Sequence, residues 1–292
     1  MIVPGAILTI DLGALRRNYR TVRDRLGACE LAAVVKADAY GLGADHVVPA
    51  LVREGCRTFF VAHAHEAFTL RAIVQDHDAD IHVFNGIQPG EEADFAATRI
   101  VPMLNSLGQI EIWQAHARTL GHKLPADLHL DTGMSRLGLD HAEQQHLLAH
   151  HDRLDGLDLD IVASHLAVAE AADDPMNAGQ HAAFLELAAA LPGRRRSLAN
   201  SSGVFLGAHY HLDVARVGLA LYGANPTPGA LSPVAQVIRL QGRILQVRSV
   251  DTPRSVGYGA THRVSRPSKI ATVALGYADG YPLSMSNLGI AY

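Results

Sequence analysis

A lysine, Lys36, stands where an alternating apolar run gives way to a turn, in "AVVKADAYGLG" from Ala33 to Gly43. Two chemistries suit it. A lysine that closes a strand can carry its ammonium out to water on a long apolar stem. At the mouth of an apolar pocket the same amine loses solvation, has its pKa lowered, and can attack a carbonyl to form a Schiff base. The stretch alone does not choose between them. Four further polar groups close later apolar runs: Asp131, with Arg136 just beyond it, His165, Asn200 and Arg216. Each taken singly fits a helix cap or a structural ion pair. Together they ask for an architecture that gathers strand ends in one place.

The rest of the chain supplies one. Short β-rich runs lie near Leu31–Lys36, Thr58–Ala62, Asp80–Phe84, Arg99–Leu104, Ala126–Asp131, Leu157–His165, Arg196–Asn200 and Leu212–Arg216. The intervals carry helical periodicity, as in "DPMNAGQHAAFLELAAAL", whose apolar residues recur at three and four. Strands separated by helix-length segments pair in parallel, which predicts an α/β fold with a (β/α)8 TIM-type barrel over residues 7–228. Beyond Tyr222, "NPTPGALSP" is turn-rich, and "VAQVIRLQGRILQVRSV" and "SKIATVALGYA" alternate like antiparallel strands. A boundary near Pro228 therefore opens a second, mainly antiparallel β-domain over residues 229–292, which residues 1–6 could join. Barrels of this kind do their chemistry at the carboxyl ends of the strands and commonly hold a phosphate on the loops after the last two. There "ANSSG" (Ala199–Gly203) offers hydroxyls, and "RVGLALYG" offers Gly218, where a backbone amide can approach a ligand. A capping Asn-Ser-Ser and a turn glycine explain these stretches equally well. A reactive lysine facing a phosphate site points to pyridoxal 5'-phosphate.

Composition excludes other classes. The chain of 292 residues is 48% hydrophobic and 18% charged, enough to bury a sizeable core. With a net charge of -4 and one short basic run, "GRRRS", it carries no nucleic-acid footprint. No apolar run reaches the length of a membrane span, and "MIVPGAILTI" lacks the basic start of a signal peptide. Two cysteines make no disulfide framework, and a cytoplasmic protein is expected. The seventeen histidines lack the partners and spacing of a metal site, so none is assigned.

"AVVKADAYGLG", "LDTGMSRLGL", "VASHLAVAE", "LANSSGVFL", "ARVGLALYG" and "ATVALGYADGYP" resemble, in order, the successive signatures of the alanine racemases, pyridoxal phosphate enzymes of fold type III, from about Ile7 to Asn287. The resemblance implies that Lys36 holds the cofactor covalently. Tyr40, Ser201 and the backbone of Gly218 and Leu219 would grip its phosphate, with Asn200 alongside. His165 would lie against the ring and Arg216 would meet the pyridine nitrogen. Arg136 would bind the substrate carboxylate or help order the residues that do. Racemisation needs acid/base groups on opposite faces of the α-carbon. The resemblance gives these roles to Lys36 and to Tyr277 of "GYADGY", supplied by the partner subunit of a homodimer with shared active sites. The implied activity is interconversion of L- and D-alanine for peptidoglycan precursors.

Two departures qualify what is expected. Where many family members have a carbamylated lysine that steadies the arginine, this chain has His129, so Arg136 needs another partner. Family members also run further than Tyr292, through the rest of the β-domain. On that ground a chain ending there is expected to bind cofactor but to racemise alanine poorly, with Gly257 to Tyr292 its least ordered part. Alternatives are a pyridoxal-phosphate-binding barrel with little racemase activity, a racemase of another small amino acid such as serine, and a decarboxylase.

Overall fold

The computed structural model describes residues 4–75 and 77–292. The chain separates into two compact units, Asp11–Val237 and a smaller one of Met1–Ile10 with Ile238–Tyr292. Of the residues 1–6 considered above, the first three lie outside the described residues. The smaller unit opens with β1 (Ala6–Ile10). The larger carries β2 (Glu30–Val34), β3 (Thr58–Val61), β4 (Asp80–Val83), β5 (Ile100–Leu104), β6 (Leu124–His129), β7 (Leu157–Ala163), β8 (Arg195–Ser197) and β9 (Val214–Val217).

These eight strands form one parallel sheet in the order β8-β7-β6-β5-β4-β3-β2-β9. The two outer strands meet without a regular ladder. Asp213 N–H donates to Arg196 O and Arg216 N–H to Ala199 O, both at 3.0 Å, and the Ser197 hydroxyl donates to Val214 O at 2.6 Å. The sheet thus closes into the expected (β/α)8 barrel. Strands such as "TFFV" and "IVPML" are buried along their whole length, because a parallel barrel covers both faces of every strand. Inside lie Ala32, Val34, Phe60, Met103, Ile161, Ala163 and Val214. One polar pair joins them, with His82 Nδ1 2.6 Å from the fully buried Asp127 carboxylate.

Helices follow from caps and apolar spacing. In Leu12–Leu26 the Asp11 carboxylate accepts the Ala14 N–H at 2.9 Å, and Leu15, Tyr19, Val22 and Leu26 form the buried face. The β8–β9 connection differs from the helix-length segment expected: it holds two short 3-10 turns, Gly203–Phe205 and Ala208–Tyr210. The strands also stop short of the residues that were expected to close them. β2 ends at Val34, β6 at His129 and β7 at Ala163, so Lys36, Asp131 and His165 stand on the following loops.

Against a boundary near Pro228, the change of unit falls at Val237. Residues 229–237 stay with the barrel: Val234 and Val237 are buried, and Asn18 exchanges hydrogen bonds with both the N–H and the C=O of Ala235. The smaller unit is antiparallel, as expected. β1 pairs with β10 (Ile238–Gly242), β11 (Ile244–Val250) with β14 (Ser268–Val273), and β12 (Arg254–Val256) with β13 (His262–Val264). Among the described residues, no helix is long and apolar enough to cross a membrane.

Candidate active site

A cavity of about 560 Å³ opens at the carboxyl ends of the barrel strands. Lys36, Tyr40, Arg136, His165, Asn200, Ser201, Arg216, Gly218 and Leu219 all line it, with His129, Phe84 and Met103 among the other walls. Tyr277 lies on the smaller unit and is 65% exposed.

The chain reaches Lys36 through an unusual turn. Ala37, Asp38, Ala39 and Tyr40 all have left-handed backbones, with φ of 53, 53, 54 and 58°. Each such residue costs about 1–2 kcal/mol relative to the right-handed form. The turn is held downstream by Ala39 N–H on Val35 O (2.9 Å), Gly43 N–H on Asp38 O (3.1 Å) and Ala44 N–H on the Asp38 carboxylate (2.7 Å). At its start, Ala37 N–H donates to Glu66 Oε1 at 2.5 Å. The half-buried Lys36 amine sits 5.9 Å from the centre of the Phe84 ring. Burial and the nearby Arg136 charge lower its pKa, with Glu66 opposing them.

Tyr40 leans on Tyr222, their ring centres 4.6 Å apart, and Tyr222 donates its hydroxyl to Val34 O at 3.0 Å. A Cβ on Gly218 would overlap the Tyr40 hydroxyl, so only glycine lets that phenol approach the backbone there. The Ser201 hydroxyl oxygen accepts the N–H groups of both Gly218 and Ala220 at 3.2 Å. Asn200 shapes its own loop, its carbonyl accepting Gly203 N–H at 2.9 Å and its amide donating to Leu166 O at 3.4 Å.

Arg216 is 3% exposed. Its guanidinium donates to the Ser197 hydroxyl, to Ser164 O at 2.5 Å and to His165 Nδ1 at 3.3 Å, while its buried Nε has no partner among the described residues. Burial pushes its pKa down to about 10, so it remains a cation near neutrality. His165 accepts at Nδ1 and so carries its proton at Nε2; burial, and then Arg216, hold its pKa well below the ordinary value.

His129 has the opposite tautomer. The Asn105 amide nitrogen donates to Phe84 O (2.8 Å) and Met103 O (2.7 Å), so the Asn105 carbonyl must accept from His129 Nδ1 at 2.7 Å. That leaves the lone pair of Nε2 for the cavity. Burial, with Arg216 and Arg136, pushes the pKa of His129 down to about 3. Between its ordinary 6.5 and about 3, the unfolded chain binds a proton at His129 that the native chain refuses. Stability is therefore expected to fall as the pH drops through that window, by about 1.4 kcal/mol per pH unit for each histidine so held. Urea unfolding midpoints across the window check this, and His129→Gln should flatten the slope.

Arg136 makes no hydrogen bond or ion pair among the described residues. The loop that carries it is firmly held: Asp131 Oδ1 accepts the N–H groups of Gly133, Met134 and Ser135, and Gln144 donates to Asp131 O and Leu139 O. Asp131, expected from sequence among the reactive groups, is thus occupied in capping. Sequence reasoning missed Asn105, Tyr222 and Glu66, which act through neighbours. On the smaller unit Tyr258 is 96% exposed, on a turn where Gly257, Gly259 and Ala260 all have positive φ. Among the described residues no cluster of three His, Cys, Asp or Glu could hold a metal ion.

Residues 10–226 match the model of the alanine racemase N-terminal domain, and residues 237–292 that of the alanine racemase C-terminal domain. The chain is 49% identical to an alanine racemase of Rhodospirillum rubrum over 97% of its length and 75% of that protein's. It is also 49% identical to a catabolic alanine racemase of Agrobacterium fabrum, over 98% and 73% of the two. The structure superposes, with a TM-score of 0.90 and 41% identity, on the crystal structure of alanine racemase from Bartonella henselae with covalently bound pyridoxal phosphate, covering 97% of this chain and 79% of that one.

Proposed function

Since the chain belongs to the alanine racemase family, we propose that its barrel cavity binds pyridoxal 5'-phosphate on Lys36 and interconverts L- and D-alanine. The observation that carries the cofactor reading is the buried Arg216 Nε, which has a proton to donate and no acceptor among the described residues. A pyridine nitrogen is such an acceptor, and the other residues present fit the rest of the group. Lys36 offers an amine of lowered pKa for the aldehyde. The hydroxyls of Tyr40 and Ser201 and the backbone at Gly218 and Leu219 suit the phosphate, with Asn200 shaping the loop. When bound, pyridoxal phosphate supplies a conjugated electron sink that acidifies the α-hydrogen of an amino acid. An arginine rather than a carboxylate at the ring nitrogen disfavours a protonated ring and moderates that sink.

The chain's own groups divide the remaining work. Arg136, uncommitted among the described residues, takes the substrate carboxylate. Lys36 Nζ moves a proton on one face of the α-carbon. A second acid/base must serve the other face. Burial lowers the pKa of His129 and of His165 and pushes the Tyr40 phenol up, so none of these three is poised near neutrality. This supports a tyrosine from the smaller unit of a second copy, in a homodimer with shared sites. The sequence assigns Tyr277. Tyr258 is more exposed than Tyr277, 96% against 65%, beside a left-handed Ala260, and this favours Tyr258 for the same role. Product D-alanine suits peptidoglycan synthesis, and the chain is read as cytoplasmic.

The decisive assay follows D-alanine formed from L-alanine in deuterated water, with carbon dioxide measured beside it. Racemisation incorporates deuterium at Cα and releases no carbon dioxide. Carbon dioxide release would mean a decarboxylase, and cofactor binding without exchange would leave a binding protein. One variant probes the phosphate side: Gly218→Ala should displace the Tyr40 hydroxyl and weaken pyridoxal phosphate affinity about tenfold, as overpacking costs about 1–3 kcal/mol. A spectroscopic cofactor titration reads the change.

A further inference from the structure

We propose that Glu66 is a positioning residue for Lys36, acting through the left-handed turn that follows the amine; the inference rests on Lys36 being the cofactor lysine. Glu66 lies in the first turn of the helix Ala64–Ile73, after β3. One of its carboxylate oxygens accepts the N–H groups of Ala62 and His63 at 2.8 and 2.9 Å, at the start of its own helix. The other crosses to the neighbouring loop and accepts Ala37 N–H at 2.5 Å. An acid at a helix start is ordinarily explained by its own helix amides. That explains the first oxygen and leaves the second unexplained.

The second oxygen holds the peptide next to Lys36. Other bonds close the turn on its own chain, from Ala39 N–H to Val35 O, Leu42 N–H to Ala39 O, Gly43 N–H to Asp38 O and Ala44 N–H to the Asp38 carboxylate, whereas Glu66 reaches in from the neighbouring loop. Without Glu66 the Ala37 amide loses that acceptor, and four residues in a costly backbone lose the side-chain anchor at the residue that follows the lysine. Three N–H donors converge on one group, and only a carboxylate meets all three with acceptors. A glutamine must turn its own N–H2 toward at least one of them. The same contact joins the loops after β2 and β3, and both loops line the cavity, through Lys36 and Tyr40 on one and Ala62 and His63 on the other.

The test compares Glu66→Gln with the parent chain. Each is given pyridoxal phosphate, the adduct is trapped with borohydride, and the labelled lysine is mapped. Affinity for pyridoxine 5'-phosphate, which has no aldehyde to react with an amine, is measured alongside, as are kcat and KM for alanine. In the variant, the adduct on Lys36 should form about tenfold more slowly or worse, since displacement of a reacting group by about 1 Å can cost a hundredfold. Pyridoxine phosphate affinity should hold within a few-fold, and kcat should fall while KM changes little. Equal adduct rates and equal kcat would overturn the proposal. So would a parallel loss of adduct formation and pyridoxine phosphate affinity, the mark of a loosened barrel. A parent label on another lysine would instead sink the reading beneath it. Glu66→Asp, still charged but one methylene shorter, is read by the same measurements and decides the matter if the glutamine variant does not fold.

Discussion

Replacement of Lys36 by alanine is expected to remove the borohydride-reducible pyridoxal phosphate adduct altogether and to lower alanine racemisation by about ten-thousand-fold or more. The variant loses two functions of one amine: the covalent hold on the cofactor and proton transfer on one face, of which the second alone contributes about 10²–10⁴-fold. Lys36 is the lysine that lines the cavity, and its amine is already partly desolvated beside Arg136. Peptide mapping of the reduced parent protein locates the label. Adduct formation on Lys123 or Lys269, or a Lys36→Ala variant that retains the adduct, would remove the assignment. Noncovalent binding should survive in part, because Arg216, Ser201 and the Gly218 loop are untouched.

The second large effect concerns the opposite face. Tyr258→Phe is expected to slow α-hydrogen exchange from one enantiomer of alanine by about 10²–10⁴-fold while disturbing exchange from the other far less. Tyr277→Phe should cost less. Both phenols are exposed, at 96% and 65%, so neither substitution should disturb folding. Exchange into deuterated water, measured separately from L- and D-alanine, separates the two. Asymmetry in the Tyr277 variant alone would restore the assignment made from sequence. Unchanged exchange from both enantiomers in both variants would exclude a tyrosine from the role.

Most of what positions the site is written locally. Lys36, His165 and Arg216 are visible because each interrupts or ends an apolar run, and a barrel turns that one-dimensional pattern into a shared mouth. The eight parallel strands are legible for the same reason: burial on both faces leaves short apolar runs spaced by helical periodicity. What stayed hidden is nonlocal or against propensity. A turn after Lys36 is legible, but only the structure gives "ADAY" a left-handed backbone, held by bonds to Val35 and Glu66. The pairing of Ala6–Ile10 with Ile238–Gly242 spans nearly the whole chain and leaves no short-range mark. The change of unit at Val237 rather than Pro228 depends on Asn18, whose amide gives no hint in sequence that it will bind Ala235. Asn105 looks like an ordinary strand-end residue, yet it sets which nitrogen of His129 carries the proton.

The place where β8 meets β9 has a thermodynamic consequence of its own. Elsewhere neighbouring strands are laced by ladders, whereas this meeting relies on two main-chain bonds and on the Asp213, Ser197 and Arg216 side chains. Ser201 follows one of these strands and Gly218 the other, so a phosphate gripped by both would act as a clasp across the least-laced part of the wall. Transient parting should start there and show as fast amide hydrogen exchange at Arg216 and Asp213. A ligand that binds only the closed form raises the work of parting by RT ln(1 + [L]/Kd), about 2.7 kcal/mol at a hundred times Kd. Cofactor saturation should then slow exchange at those amides more than at β4 or β5, so that the barrel reaches its full rigidity only once it is loaded.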